Sequence, residues 1–565
     1  MQTLTSCLFN PLHLFTQTFE SFKESTPTMQ LDDILKVIGE FGPYQKRIYF
    51  LLCLPILFVS MFDILNAYLM YNPTHVCATI ASPFQIKEIS SDYSDKSSSV
   101  NPDQYEYGEC SVTIGNNSSN TTLNACSSWS YDKTVFTSTY VSEYNLVCDH
   151  ALTAAYIQVV MHSGSMTGSF VEGFLLDRFG RKLALCGGIT LAMVVGTCAA
   201  FSPNIYVFTV LGYIQSLFCS FVFSAAFVLG LELVGPSKRR WAGILVNFFY
   251  SAGLMLLSGF GYAIRDWQYI QIACSLPLAL FIFYWWIIPE SPRWLISQGR
   301  YKEAHAIIRT IAKYNKCEDK LFLNQLTDDD DEEPERFKIW HLFSSWSNIV
   351  RCVIIWVNWM VIYITYFGFS LNAANLSGNF YLNHLLAGLV EFPANAVAFV
   401  LLDRIGRKKL FILGMVIGGL CLLLTGVFEH FWPVEIISIS FAMVGKFGIT
   451  IGYAVVYVWS AELFPTGLRS TGLGLGCMFG DLGYIFAPYV LQLTRRVPGY
   501  GRVLPLFLFA VLALGVSFLT LLLPETTMES LPETMQIHPE KFESPKDSSQ
   551  RRISGDKLTV EESLL

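Results

Sequence analysis

Five ionisable side chains interrupt apolar runs long enough to cross a bilayer, and they pose the chemical question of this chain. At a rise of ~1.5 Å per residue, Asp481 lies about 18 Å beyond Arg469, near the midplane of its run. Glu391, Lys446 and His162 fall at similar depth, and Asp63 sits somewhat to the far side of the centre of the first run. A charge at that depth costs roughly 2.5–3.5 kcal/mol on insertion scales unless it finds a partner or a water-lined cavity, so each is a candidate for binding. An ionised carboxylate in a low-dielectric cavity attracts an ammonium far more strongly than in water. Asp481 is therefore the principal expected cation site, with a structural salt bridge to Lys446 as the alternative. Glu391 is expected to bind or couple a proton, or else to hydrogen-bond a neighbouring helix. Lys446 is expected to neutralise part of the acidic cavity and to change partners during a working cycle. Asp63 adds a second cation contact or faces a polar vestibule. His162 reads as a packed, hydrogen-bonded histidine before it reads as a pH sensor.

Ring faces supply the other half of a cation site, each worth ~0.5–2 kcal/mol. Phe223, Phe227, Trp359, Tyr363, Tyr366, Tyr457 and Tyr484 all fall within the apolar runs, and Gln158 and Asn247 are placed to orient polar ends of a substrate. A P-loop, a CxxC pair and an HExxH motif are all missing from the sequence, so no cofactor, no metal and no catalytic constellation is expected.

The elements that must position these groups are membrane helices. Of 565 residues, 52% are hydrophobic, 15% aromatic and only 15% charged, against about 25% charged in soluble domains. Twelve spans are expected, at roughly 48–71, 150–172, 183–201, 205–231, 241–263, 268–288, 352–371, 380–402, 410–428, 434–458, 471–491 and 504–523. The net charge of −7 is spread along the chain and gives no sign of nucleic acid. Short-loop basic clusters, at Arg178 to Lys182, Lys238 to Arg240 and Arg404 to Lys409, fall on one side if the spans alternate. That side is cytoplasmic, and both termini with it.

The chain divides into a cytoplasmic N-terminus (1–47), the first helix (48–72), an extracellular loop (73–149), helices 2–6 (150–288), a cytoplasmic helical loop with an acidic linker (289–350), helices 7–12 (351–523) and a cytoplasmic tail (524–565). The extracellular loop holds Cys77, Cys110, Cys126 and Cys148, enough for two disulfides in any of three connectivities, and glycosylation sequons at Asn116, Asn117 and Asn120. In the cytoplasmic loop a helical pattern over Lys302–Lys316 puts Ala304, Ile307, Ile308 and Ile311 on one face, ahead of the acidic run Asp328–Glu333. The tail carries a basophilic kinase pattern ending at Ser554.

Span 2 ends in Asp177-Arg178-Phe179-Gly180-Arg181 and span 8 in Asp403-Arg404-Ile405-Gly406-Arg407. One motif at the same place in each half implies duplicated six-helix bundles. It reads as a two-state latch in which Asp177, Arg178, Arg181, Asp403, Arg404 and Arg407 pair with the neighbouring bundle and release it, exchanging partners with Glu232 and Glu462.

This repeat resembles the major facilitator superfamily. With Gly39–Gln45, Ser142–Cys148, Pro289–Leu295, Gly378–Tyr381, Ala461–Arg469 and Leu523–Thr526, the chain from about 32 to 535 resembles solute carrier family 22, the organic cation, anion and zwitterion transporters, and its start is similar to invertebrate members of the cation branch. The resemblance implies an all-α fold of twelve helices in two pseudo-symmetric six-helix bundles, working by alternating access as a monomeric unit in the plasma membrane. It implies a small organic cation or zwitterion with a cationic amine, such as carcinine, moved down its gradient and the membrane potential. Cation carriers of the family tend to have Asp at position 481 and anion and carnitine carriers Arg; Glu391 and Tyr366 match family residues facing the cavity. Gly212 and Ala454 stand where the family often has an Arg and a further acid. The rivals are a carnitine-like zwitterion or organic anion carrier, and a non-transporting receptor that kept the fold.

Overall fold

The computed structural model describes residues 31–80, 105–107, 110, 112–116, 119–123, 126–317, 346–373, 376, 378–432, 434–463, 469–495 and 503–525. The apolar runs form twelve long helices: α1 Pro43–Leu69, α2 Ala151–Phe179, α3 Arg181–Ala199, α4 Ile205–Glu232, α5 Arg239–Ile264, α6 Trp267–Ile287, α7 Trp346–Asn372, α8 Phe380–Ile405, α9 Arg407–Phe431, α10 Glu435–Leu463, α11 Arg469–Arg495 and α12 Leu504–Thr520. Ten are long and apolar enough to cross a bilayer; α12 is apolar but has 17 residues, and α2 carries the polar residues described below. Several helices extend beyond the sequence-based bounds because their basic and acidic ends continue the helix past the apolar stretch. In α6 the segment Leu276–Phe283 tightens to a 3₁₀ helix, at Pro277, which has no N–H to give to a helical ladder.

The turns of the repeated motif are single glycines. Gly180 (φ +95°) joins α2 to α3 and Gly406 (φ +101°) joins α8 to α9, a left-handed backbone that side-chain-bearing residues rarely adopt. Elsewhere α2 and α4 touch backbone to backbone: a Cβ on Gly164 would lie 2.1 Å from the Tyr213 carbonyl oxygen, and one on Gly168 2.8 Å from that of Leu217. Small residues four apart allow this approach. Prolines 55, 393 and 488 lie inside α1, α8 and α11, the helices that carry Asp63, Glu391 and Asp481.

The loop between α1 and α2 is a small β lobe, which the sequence reading left without secondary structure. Strand β1 (His75–Ile80) pairs antiparallel with β5 (Cys126–Tyr131), and β2 (Tyr105–Tyr107), β3 (Val112–Asn116) and β4 (Ser119–Leu123) form a meander. Of the three possible connectivities, the structure has Cys77–Cys126 and Cys110–Cys148. Asn117, Ser554 and the acidic run Asp328–Glu333 lie outside the described residues, and of Asn116 and Asn120 only the strand backbone is described.

The lobe is anchored to the bundle by Ser142–Cys148: the Trp267 indole N–H donates to Glu143 (2.5 Å), and the Tyr131 hydroxyl to Asn145 (3.1 Å). At this loop end Phe136 packs among Tyr68 of α1, Tyr71 just beyond it, and Phe380 and Tyr381 of α8, with ring centroids 5.2–6.2 Å apart. The Tyr381 hydroxyl donates to the Val135 carbonyl (2.5 Å). At the opposite, basic end, the amphipathic pattern becomes a helix over Tyr301–Tyr314. Ile308, Ile311 and Ala312 bury against Leu31, Ile34, Leu35 and Ile38 of a short N-terminal helix. Asn315 fastens the two: its side chain donates to the Ile38 carbonyl (3.0 Å) and Gln45 (2.9 Å) and accepts from the Tyr44 N–H (3.1 Å).

Candidate functional site

The buried acids lie on the seam between the two six-helix halves. Asp481, on α11, is 5% exposed and is held by α2 of the other half: Ser169 donates to Oδ2 at 2.6 Å and Ser165 to Oδ1 at 3.3 Å. The four-residue spacing of these serines puts both hydroxyls on one face of α2. Asp481 is thus neither turned to lipid nor enclosed in one half, and Lys446 is not its partner.

Lys446 belongs to Glu391. Its ammonium lies 3.1 Å from Glu391 Oε1, donates to Ser370 (2.8 Å) and stands 3.3 Å above the centre of the Tyr366 ring. Glu391 also accepts from the Tyr366 hydroxyl (2.5 Å) and from Ser251 of α5 (2.8 Å). Both charges are fully buried and sum to zero, so this pair takes no net charge from Asp481. The sequence placed Tyr366 and Trp359 as rings for a ligand; the structure commits both elsewhere. The Tyr366 face is covered by Lys446, and Trp359, completely buried, donates to Ser460 (2.8 Å) while its indole fills the space above Gly476.

Asp63 is half-buried on α1. Its carboxylate accepts from the Tyr250 hydroxyl (2.8 Å), and its backbone carbonyl from the Tyr484 hydroxyl on the opposite half. The Tyr484 ring lies between Phe367 (4.0 Å) and His162 (3.8 Å). His162 is buried 3.5 Å from the Asn66 amide, the packed histidine of the first alternative. Phe223 and Phe227 stack parallel; Phe223 meets Tyr250 and Phe227 crosses the seam to Tyr457 at 6.3 Å. The hydroxyls of Tyr363 and Tyr457 bond at 2.6 Å, with that of Tyr453 3.5 Å from each. Gln158 is half-buried on α2.

Sequence reasoning missed Glu172, which it took as the end of span 2. It is 7% exposed on α2 and accepts from Ser220 (2.8 Å) and Ser224 (2.6 Å) of α4. Its signal was an acid one helical turn and more inside a chain of serines, with the facing serines again four apart.

The repeated motif makes two matching clamps. Arg181 pairs with Asp177 (3.2 Å) and Glu232 (3.1 Å) and donates to the Leu176 carbonyl; Arg407 pairs with Asp403 (3.3 Å) and Glu462 (2.8 Å) and donates to the Leu402 carbonyl. The first N–H groups of α3 and α9 are taken by Glu290 and Glu525 (2.9 and 2.8 Å), acids at the positive ends of helix dipoles. The sequence reading set these pairings between bundles; here each runs inside one half, because Glu232 and Glu462 end α4 and α10 of the same bundle. Arg178 lies over Phe174 and Phe179, and Arg404 is exposed.

Residues 105–537 match the family described as sugar (and other) transporter. The chain is 35% identical over 528 residues to an organic cation transporter protein of Drosophila melanogaster, covering 90% of this chain and 94% of that one. It is 34% identical over 559 residues to solute carrier family 22 member 21 of Mus musculus (95% and 97%), and 33% identical over 530 residues to organic cation/carnitine transporter 2 of Homo sapiens (89% and 93%). Among solved structures, the proton:xylose symporter XylE bound to 6-bromo-6-deoxy-D-glucose superposes with a TM-score of 0.56 at 16% identity, covering 86% of this chain and 98% of that one. At that identity the likeness is one of fold.

Proposed function

Because the chain belongs to the sugar (and other) transporter family of the major facilitator superfamily, and within it to solute carrier family 22, we propose that it carries organic cations, or zwitterions with a cationic amine, across the plasma membrane by alternating access. It is a transporter and not an enzyme. The observation that carries the substrate class is Asp481: a buried carboxylate on the seam, bonded by hydroxyls alone, with no cation of the protein beside it among the described residues. Lys446, the one cation buried at that depth among the described residues, is fully occupied by Glu391.

An ammonium bound at Asp481 would find Asp63 as a second anionic contact and the rings of Phe223, Phe227 and Tyr457 as its apolar walls. Carcinine, with an amine and an imidazole, fits that pair of contacts. The Glu391–Lys446 pair positions α8 against α5 through Ser251, and the Arg181 and Arg407 clamps keep each half rigid while the two rock. In this reading the basic end and both termini face the cytoplasm, the β lobe is extracellular and glycosylated on its sequons, and one chain is one transport unit.

Uptake of labelled tetraethylammonium tests the reading. Asp481→Asn is expected to lose at least tenfold of the uptake rate, the scale of a charge-assisted contact worth ~1.5–3 kcal/mol, with surface expression unchanged. Full uptake by that variant refutes the assignment. The carnitine transporters among the relatives raise a second reading, and competition between tetraethylammonium and L-carnitine decides between them.

A further inference from the structure

Glu172 has no place in the site as described, yet it is joined to it. Ser169 donates to Asp481 Oδ2 (2.6 Å), Ser220 donates to Glu172 Oε2 (2.8 Å), and the two serine hydroxyls are 3.3 Å apart. This is an unbroken line of four oxygens, carboxylate–hydroxyl–hydroxyl–carboxylate, made continuous by the close approach of α2 to α4 at Gly168. Three contacts need three hydrogens, and each serine has only one. If both acids are ionised, the serines turn outward to the acids and the middle contact has no hydrogen. The line is complete only when one of the acids is protonated. The proton sits on either end with equal bonding: Glu172 to Ser220 to Ser169 to Asp481, or the reverse.

From this juxtaposition we infer that Asp481 and Glu172 share a single proton through Ser169 and Ser220, and that the protein exchanges one proton for each organic cation it carries. The inference rests on the cation reading of Asp481. A cation beside Asp481 supplies the positive charge that lets both acids ionise. The proton then leaves the pair for the solution from which the cation came, and the two serine hydroxyls turn to their own acids. On the return, a proton taken up by the pair replaces the departing cation. Loaded and empty sites carry the same charge, so the exchange is electrically silent.

The surroundings offer no competing base. Cys477 and Tyr484 from α11, Tyr363 from α7 and Asp63 from α1 face the Asp481 end, and Cys477 also faces Glu172. Of these only Asp63 is an acid, and Tyr250 holds it. His162, on α2, is turned to Asn66 and Tyr484. No Lys, Arg or His among the described residues pairs with either acid.

The test uses the full chain in proteoliposomes with tetraethylammonium and a clamped membrane potential. An inside-acid gradient is expected to drive accumulation of up to about tenfold per pH unit, the limit of one-for-one exchange, with no response to potential. Ser220→Ala breaks the line and leaves both acids: pH-driven accumulation is expected to vanish while tetraethylammonium counterflow persists, and Ser220→Thr, which keeps the hydroxyl, restores it. Accumulation in the wild type that follows potential and ignores pH overturns the inference, as does pH-driven accumulation that survives Ser220→Ala. Wild-type protein that shows no counterflow at all refutes the cation reading instead. In that event infrared spectra of the substrate-free protein decide the shared proton: the wild type minus Glu172→Gln difference at neutral pH must contain a protonated-carboxyl stretch, and its absence overturns the proposal.

Discussion

Replacing Lys446 by Met strands Glu391. In the wild type that carboxylate, 1% exposed, receives the ammonium at 3.1 Å, the Tyr366 hydroxyl and Ser251. Without the ammonium it is a buried, uncompensated charge, and breaking a buried pair in this way costs ~3–5 kcal/mol. Glu391→Gln alone strands Lys446 in the same way, leaving it Ser370 and the Tyr366 ring. The double variant Lys446→Met/Glu391→Gln removes both charges, keeps a polar partner for Tyr366 and Ser251, and is expected to lie within ~1–2 kcal/mol of the wild type. The cycle should therefore show a coupling of at least ~2 kcal/mol, read from denaturant unfolding of purified protein in micelles. If the double variant loses the sum of the two single losses, the pair does not act as a unit and the isolation of Asp481 from protein cations loses its basis.

Four further outcomes follow from the geometry. Ala at Gly406 must adopt a φ near +101°, at ~1–3 kcal/mol; Gly180→Ala adds a Cβ 2.3 Å from Glu290, so in thermal melts it should be the more damaging of the two. Arg181→Ala and Arg407→Ala should slow uptake to similar extents, because each empties an equivalent clamp; a large effect from one alone would break the symmetry argument. Asn315→Ala removes three hydrogen bonds at ~0.5–1.5 kcal/mol each and should expose the chain around residues 39–42 to limited proteolysis without abolishing folding. Non-reducing peptide mapping should recover Cys77 with Cys126 and Cys110 with Cys148; any other pairing contradicts the lobe.

The helices were legible because burial in lipid leaves a one-dimensional record: apolar length, basic flanks and a repeated turn motif. The depth argument likewise found Asp63, Glu391, Lys446 and Asp481, since an ionisable group is conspicuous in an apolar run. Which acid meets which base was not legible. Partner choice depends on the rotation of α8, α10 and α11 about their axes, set by close contacts such as that of Gly483 with the Met360 carbonyl, which leave no mark on hydropathy. Glu172 escaped notice because it stands near the polar end of its run, where an acid looks like a boundary. The serines escaped because a hydroxyl in a membrane helix usually bonds its own backbone, as Thr190 and Thr209 do here, and only the facing helix shows which ones reach outward. The β lobe carried cysteines and sequons but short strands with weak alternation, a faint pattern at any length.

The Val135 carbonyl and the Phe136 ring give the β lobe a mechanical role. For the loop end to part, Tyr381 must let go of Val135, and Phe136 must withdraw from between α1 and α8. Two disulfides make the lobe a handle bolted to that wedge. An antibody or nanobody fragment that immobilises the handle against the bundle would jam the door from outside, without ever entering the pathway the cargo takes.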